Sequence, residues 1–182
     1  MLGGARSLRF LTLGTVSPHK RLGTVIDIVA ILRGRGFDAT LDIWGPVGDE
    51  REAARLRQAA QARLGYDPLR GPLATNQRTE VFRSADFLVM GSSTESFGFA
   101  MVEAMRSSTV VVAPRSPLVH EICDNSAITY DQCSTASAAD AIVAALPRLP
   151  ELADAGLSRS QEVFTWSRCV DDTLEAILGQ SV

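Results

Sequence analysis

Apolar residues along this chain alternate between short runs that suit strands and stripes of helical period. Residues 9–13 are an apolar run closed by Gly14 and predict a strand. From Leu22 the period turns helical, with Leu22, Val25, Ile26, Val29 and Leu32 on one stripe that stops near Gly34 and Gly36. Residues 40–44 predict a second strand, closed by Gly45-Pro46, and residues 49–64, rich in Ala, Arg, Gln and Leu, predict an exposed helix. Residues 66–75 carry Pro68, Gly71 and Pro72, which leave room for a very short strand at most. A short helix over 76–84, a buried strand over 87–90 and a helix over 98–106 with apolar residues on most sides follow. Strands over 109–113 and 127–130 and helices over 137–146, 150–163 and 166–178 complete the pattern.

Strands that alternate with helices in this way pair in parallel, with helices on both faces. The expected fold is therefore α/β, a doubly wound, Rossmann-like sheet, in one domain over residues 1–182, without internal repeats, low-complexity tracts or an interdomain linker. Such sheets bind ligands outside the carboxyl ends of their strands. Two loops occupy that edge, residues 14–21 and 91–98.

Composition narrows the ligand. The 182 residues are 46% hydrophobic and 21% charged, with a net charge of −3. That charge gives no general attraction to nucleic acid or anionic lipid, so any anion site must be local. Cys123, Cys133 and Cys169 are odd in number and lack CxxC spacing, and read as free thiols in a reducing compartment, which favours the cytoplasm. His19 and His120 are too few for a His-rich metal site, and His120 reads as structural. No apolar run approaches the roughly 20 residues of a membrane span. The start of the chain lacks a signal peptide's apolar region, and Gly3-Gly4 reads as a linker remnant.

The second loop carries the strongest chemistry. Glu95 follows a strand, and Gly98 lets backbone pass close to a ligand at the start of the next helix. Free N–H groups and the helix dipole there suit hydroxyl or phosphate oxygens. Glu103 lies more than a turn further on, and helical side chains lean back toward the N-terminus, so its carboxylate can serve the same pocket. Two carboxylates around a row of donors suit a polyhydroxylated ligand; two solvated glutamates are the plain alternative. In the first loop, Lys20 is either a surface lysine or an anion ligand, and a cation there opposes the helix dipole. Trp44 reads as a core or rim residue.

The segment Glu95-Ser96-Phe97-Gly98-Phe99-Ala100-Met101-Val102-Glu103-Ala104-Met105 resembles the E-x7-E element of retaining, two-domain glycosyltransferases of the GT-B type, the large "glycosyl transferases group 1" family. The Gly14 loop, Trp44-Gly45, Ser84-Ala85-Asp86, residues 110–113, Glu121-Ile122 and Phe164-Thr165-Trp166 fall in the family's order, so the resemblance covers nearly the whole chain. It implies that this chain is the donor-binding half of an enzyme that moves a sugar, with retention, from a nucleoside diphosphate sugar to an acceptor in polysaccharide, glycolipid or other glycan synthesis. Glu95 would be catalytic, positioning the sugar and stabilising charge at the anomeric carbon. Glu103 would bind the ribose, and Ser96, Phe97, Gly98 and Phe99 would lie against the donor. Gly14 and Lys20 match the loop that holds the diphosphate, but Thr15 stands where the family has Arg; Arg21 or the N-terminal domain would replace that charge, or else diphosphate binding is weakened or lost. Leu73 would contact the base, unless its loop only covers the core. The loop after the strand at 109–113 carries Pro117-Leu118 in place of Gly-Gly, which implies an altered donor pocket.

The resemblance further implies no cofactor and no metal, since no paired-Asp motif is present. An N-terminal acceptor-binding domain, from the same or another chain, would be the partner, and a C-terminal helix over 164–179 would cross to it. Any peripheral membrane association would run through that domain. A catalytically degenerate or regulatory nucleotide-sugar-binding module is the alternative, and Thr15 and Pro117-Leu118 count toward it. A dinucleotide-dependent dehydrogenase is a further rival, without G-x-G-x-x-G after the first strand.

Overall fold

A computed structural model describes residues 7–92, 95 and 97–179. Strand β1 (Ser7–Leu13) leads through helix α1 (Leu22–Gly34) to β2 (Asp38–Trp44), and α2 (Glu50–Leu64) leads to the short β3 (Leu69–Gly71). Helix α3 (Arg78–Arg83) precedes β4 (Phe87–Val89), and α4 (Phe99–Arg106) connects it to β5 (Val110–Pro114). Helix α5 (Pro117–Cys123) leads to β6 (Ile128–Tyr130), and α6 (Thr135–Ala145), α7 (Leu149–Val163) and α8 (Trp166–Leu178) follow. The sheet has the order β3-β2-β1-β4-β5-β6, and every pairing is parallel. The doubly wound α/β fold expected from the alternation is the one observed.

The sheet is buried on both faces, which is why its central strands read as continuous apolar runs rather than alternating ones. Phe10, Phe87, Val89, Val110 and Val112 point into one core with α1, α2 and α6. Their neighbours Leu11, Leu88, Val111 and Ala113 point into the other, with Phe82 of α3, Met101, Ala104 and Met105 of α4, and Val119 and Ile122 of α5. Helix α1 alone buries Leu22, Val25, Ile26, Ile28, Val29 and Leu32, each contributing about 1.5–3 kcal/mol relative to exposure.

One segment differs from expectation. Pro117-Leu118, expected in a loop that shapes the donor pocket, instead opens α5. Ser116 caps it by accepting from the Val119 N–H at 3.2 Å. Pro117 sits in the first turn, where its missing N–H costs no helical hydrogen bond. The predicted helix at 98–106 starts one residue later, with Gly98 as its cap.

Helix α8 stands apart. None of its residues is buried; Trp166 is 85% and Ile177 73% exposed. Among the described residues no helix is long and apolar enough to cross a membrane.

Candidate functional site

Where the strand order reverses, between β1 and β4, a cleft of about 360 Å³ opens at the carboxyl edge of the sheet. This is the switch point at which doubly wound sheets bind ligands, and the size is in the ligand-pocket range. Both expected loops line it: Gly14, Thr15 and Lys20 from the first, and Gly91, Ser92, Glu95 and Gly98 from the second. Phe99, Pro72 and Leu73 also line it.

The first loop leaves β1 at Gly14, whose N–H donates to the Trp44 carbonyl at 2.9 Å. It then tightens into a single turn over Pro18–Lys20, and Arg21, at φ 49°, caps α1. Lys20 therefore sits just ahead of the helix rather than in its first turn. Its aliphatic stem lies beside Gly14, where a Cβ would fall 3.5 Å from Cε. The second loop leaves β4 at Met90, whose carbonyl accepts from the buried Tyr130 hydroxyl at 2.6 Å. Burial raises the Tyr130 pKa well above the ordinary phenol value and keeps it a donor. Gly91 then passes so close to the first loop that a Cβ there would lie 2.4 Å from the Arg21 carbonyl oxygen and 2.9 Å from that of Lys20. Gly98 turns the chain into α4 at φ 78°, a left-handed conformation that favours glycine.

Two ion pairs organise the charge. Lys20 Nζ meets Glu95 Oε1 at 2.5 Å, with both side chains about four-fifths buried (21% and 19% exposed). The second pair joins Arg78 Nη2 to Glu103 Oε2. Arg78 lines the cleft; Glu103 does not. Arg21 is exposed and outside the lining. Phe97 also lies outside it, in an aromatic cluster with Phe99 (centroids 4.6 Å) and Phe164 (6.3 Å, edge-on). That cluster forms one end of an apolar groove of about 870 Å³ between α4 and α8, which Trp166 and Ile177 also line. Ser96 lies outside the described residues. Trp44 is half-buried against the second core.

Arg78 is the residue that sequence reasoning missed. It opens a six-residue helix with no apolar period to mark it. Its meaning arises only where the fold brings it to Glu103, 25 positions away. A cation five residues after Leu73 was the available signal. Among the described residues no group of three or more His, Cys, Asp or Glu is placed to hold a metal ion.

Comparisons with known proteins give the family and the fold. The family described as "Glycosyl transferases group 1" matches residues 5–154. The chain is 30% identical over 176 residues to a D-inositol 3-phosphate glycosyltransferase of Stackebrandtia nassauensis, covering 90% of this chain and 40% of that protein. It is 31% identical over 137 residues to an alpha-maltose-1-phosphate synthase of Mycolicibacterium smegmatis, covering 69% of this chain and 35% of that protein. The chain thus spans about two fifths or less of these relatives. The fold matches the crystal structure of Anabaena Alr3699/HepE in complex with UDP and glucose, with a TM-score of 0.83 at 18% identity, over 96% of this chain and 49% of that one.

Proposed function

The chain belongs to the glycosyl transferases group 1 family, and on that premise we propose that it is the donor-binding half of a retaining, GT-B type glycosyltransferase, with the cleft as the site of a nucleoside diphosphate sugar. The observation that carries the reading is the meeting of Lys20 and Glu95 at 2.5 Å inside the cleft, from two loops 75 residues apart. A cation for a diphosphate beside a carboxylate for a sugar is the pairing that this transfer requires. Structural relatives in complex with UDP and glucose, and with UDP-glucose, support the same ligand class.

In this mechanism the leaving diphosphate gains charge as the glycosidic bond breaks, and preplaced donors stabilise it. Lys20 supplies the cation, and the N–H groups around Gly98 and Phe99 supply neutral donors. Glu95, released from Lys20 by the incoming diphosphate, holds the sugar and stabilises positive charge at the anomeric carbon. Glu103 serves the ribose, and the base packs by Pro72 and Leu73. The exposed apolar face of α8 covers an acceptor-binding domain, which positions the attacking hydroxyl. Thr15, which lines the cleft without a charge, favours a second reading in which the module binds the nucleotide sugar but does not turn it over.

Calorimetric titration tests the site. A nucleoside diphosphate should bind more tightly than its monophosphate, and Lys20→Ala should remove that advantage. Equal affinity for both, unchanged by Lys20→Ala, would rule out a diphosphate site at this lysine.

A further inference from the structure

Two cations line the cleft among the described residues, Lys20 and Arg78, against one carboxylate, Glu95. The partner of Lys20 shares the lining; the partner of Arg78 does not. Glu103 on α4 holds the guanidinium and is not part of the lining. Arg21 is exposed and outside the lining.

The guanidinium is not used up by Glu103. It has five N–H donors in a planar fork. Nη2 is held by the carboxylate, while Nε is buried without a hydrogen-bond partner. A buried donor without an acceptor is costly, and a shift that aims the Nε edge at a ligand oxygen removes that cost. The excess of positive charge on the lining selects an anionic oxygen over a carbonyl, because charge-assisted bonds from a guanidinium are about twice as strong as neutral ones.

We propose that Arg78 is a phosphate-binding residue of this cleft. When a nucleotide binds, its fork takes a phosphate oxygen and loosens its hold on Glu103, which is then free to accept from the ribose hydroxyls. The inference rests on the cleft being a nucleoside diphosphate site. It adds the residue that provides the second charge and couples phosphate binding to the availability of Glu103.

The experiment is a set of binding curves on the 182-residue chain. UDP, GDP and ADP are compared at two salt concentrations, and the tightest is carried forward with its nucleoside. Arg78→Met keeps the length of the side chain and removes the charge; Arg78→Lys keeps the charge and removes the fork; Glu103→Gln and the double variant complete the cycle. Thermal unfolding checks that each variant is folded. Arg78→Met is expected to lose roughly ten- to a hundredfold of diphosphate affinity, to keep or raise nucleoside affinity because Glu103 is no longer held, and to flatten the salt dependence. Arg78→Lys should recover part of the affinity and most of the salt dependence. The double variant should bind more weakly than Glu103→Gln alone. Equal losses for nucleoside and diphosphate, or a double variant no weaker than Glu103→Gln, would overturn the proposal and leave Arg78 a support for Glu103. If Lys20→Ala weakens diphosphate binding while Arg78→Met does not, this inference fails and the site reading stands. If the chain binds none of the three diphosphates, both fail.

Discussion

Gly91→Ala tests the packing that brings the two loops of the cleft together. The added Cβ would lie 2.4 Å from the Arg21 carbonyl oxygen, about 1 Å short of ordinary contact at 3.4 Å, and 2.9 Å from that of Lys20. Both obstacles are backbone, so no flexible side chain can swing away. Either β4's end or the first loop must shift by about 1 Å. Overpacking of this kind costs about 1–3 kcal/mol, and each kcal/mol lowers Tm by roughly 2–4 °C in a domain of this size. The displaced backbone carries Lys20, so its 2.5 Å contact with Glu95 should be lost, and diphosphate affinity should fall with stability. Gly34→Ala is the control: it lies in α1 with nothing within 4 Å of a Cβ, and should stabilise the chain by up to about 1 kcal/mol without touching the cleft. Differential scanning calorimetry and a diphosphate titration on both variants give the answer. A Gly91→Ala chain as stable as its parent, with undiminished binding, would refute the close approach of the two loops.

Three further outcomes are expected. Glu103→Gln should weaken nucleoside diphosphate and full donor alike, by roughly ten- to a hundredfold, whereas Glu95→Gln should spare the diphosphate and, in a two-domain enzyme, depress turnover; a Glu95→Gln variant that loses as much affinity as Glu103→Gln for both ligands in paired binding curves would contradict this division. With acceptor positioning assigned to a second domain, as proposed, the 182-residue chain alone should not glycosylate an acceptor; a glycosylated product found by mass spectrometry would contradict that, whereas slow donor hydrolysis would not. In thiol labelling, the exposed Cys133 and Cys169 should react first, and Cys123, whose thiol burial pushes up to about 12, should react only on unfolding; three equal rates would show that Cys123 is accessible.

The fold was legible because both faces of the sheet are covered: the short unbroken apolar runs at 87–89 and 110–113, alternating with helical stripes, suit buried parallel strands, and they pair that way. The two loops that line the cleft are the segments after β1 and β4, and Leu73 lines it as well. What escaped depends on meetings between distant residues. Glu103 was expected to serve the pocket from its helical lean; its pairing with Arg78, which lines the cleft, was not foreseen. The segment after β5 was read through a resemblance as a loop, although Ser116-Pro117 is a helix-start signal in its own right. Arg21 was considered for its charge, while its left-handed backbone and its role as the cap of α1 come from how the first loop must turn into the helix.

The most direct measurement of the central claim is an amide NMR titration of the chain with UDP, GDP and ADP. The account predicts that at least one gives saturable shifts centred on Gly14, Thr15, Lys20, Leu73, Gly91, Gly98 and Phe99, the residues that line the cleft at the carboxyl edge of the sheet. Shifts confined to the groove between α4 and α8, or no saturable shift with any of the three, would contradict it.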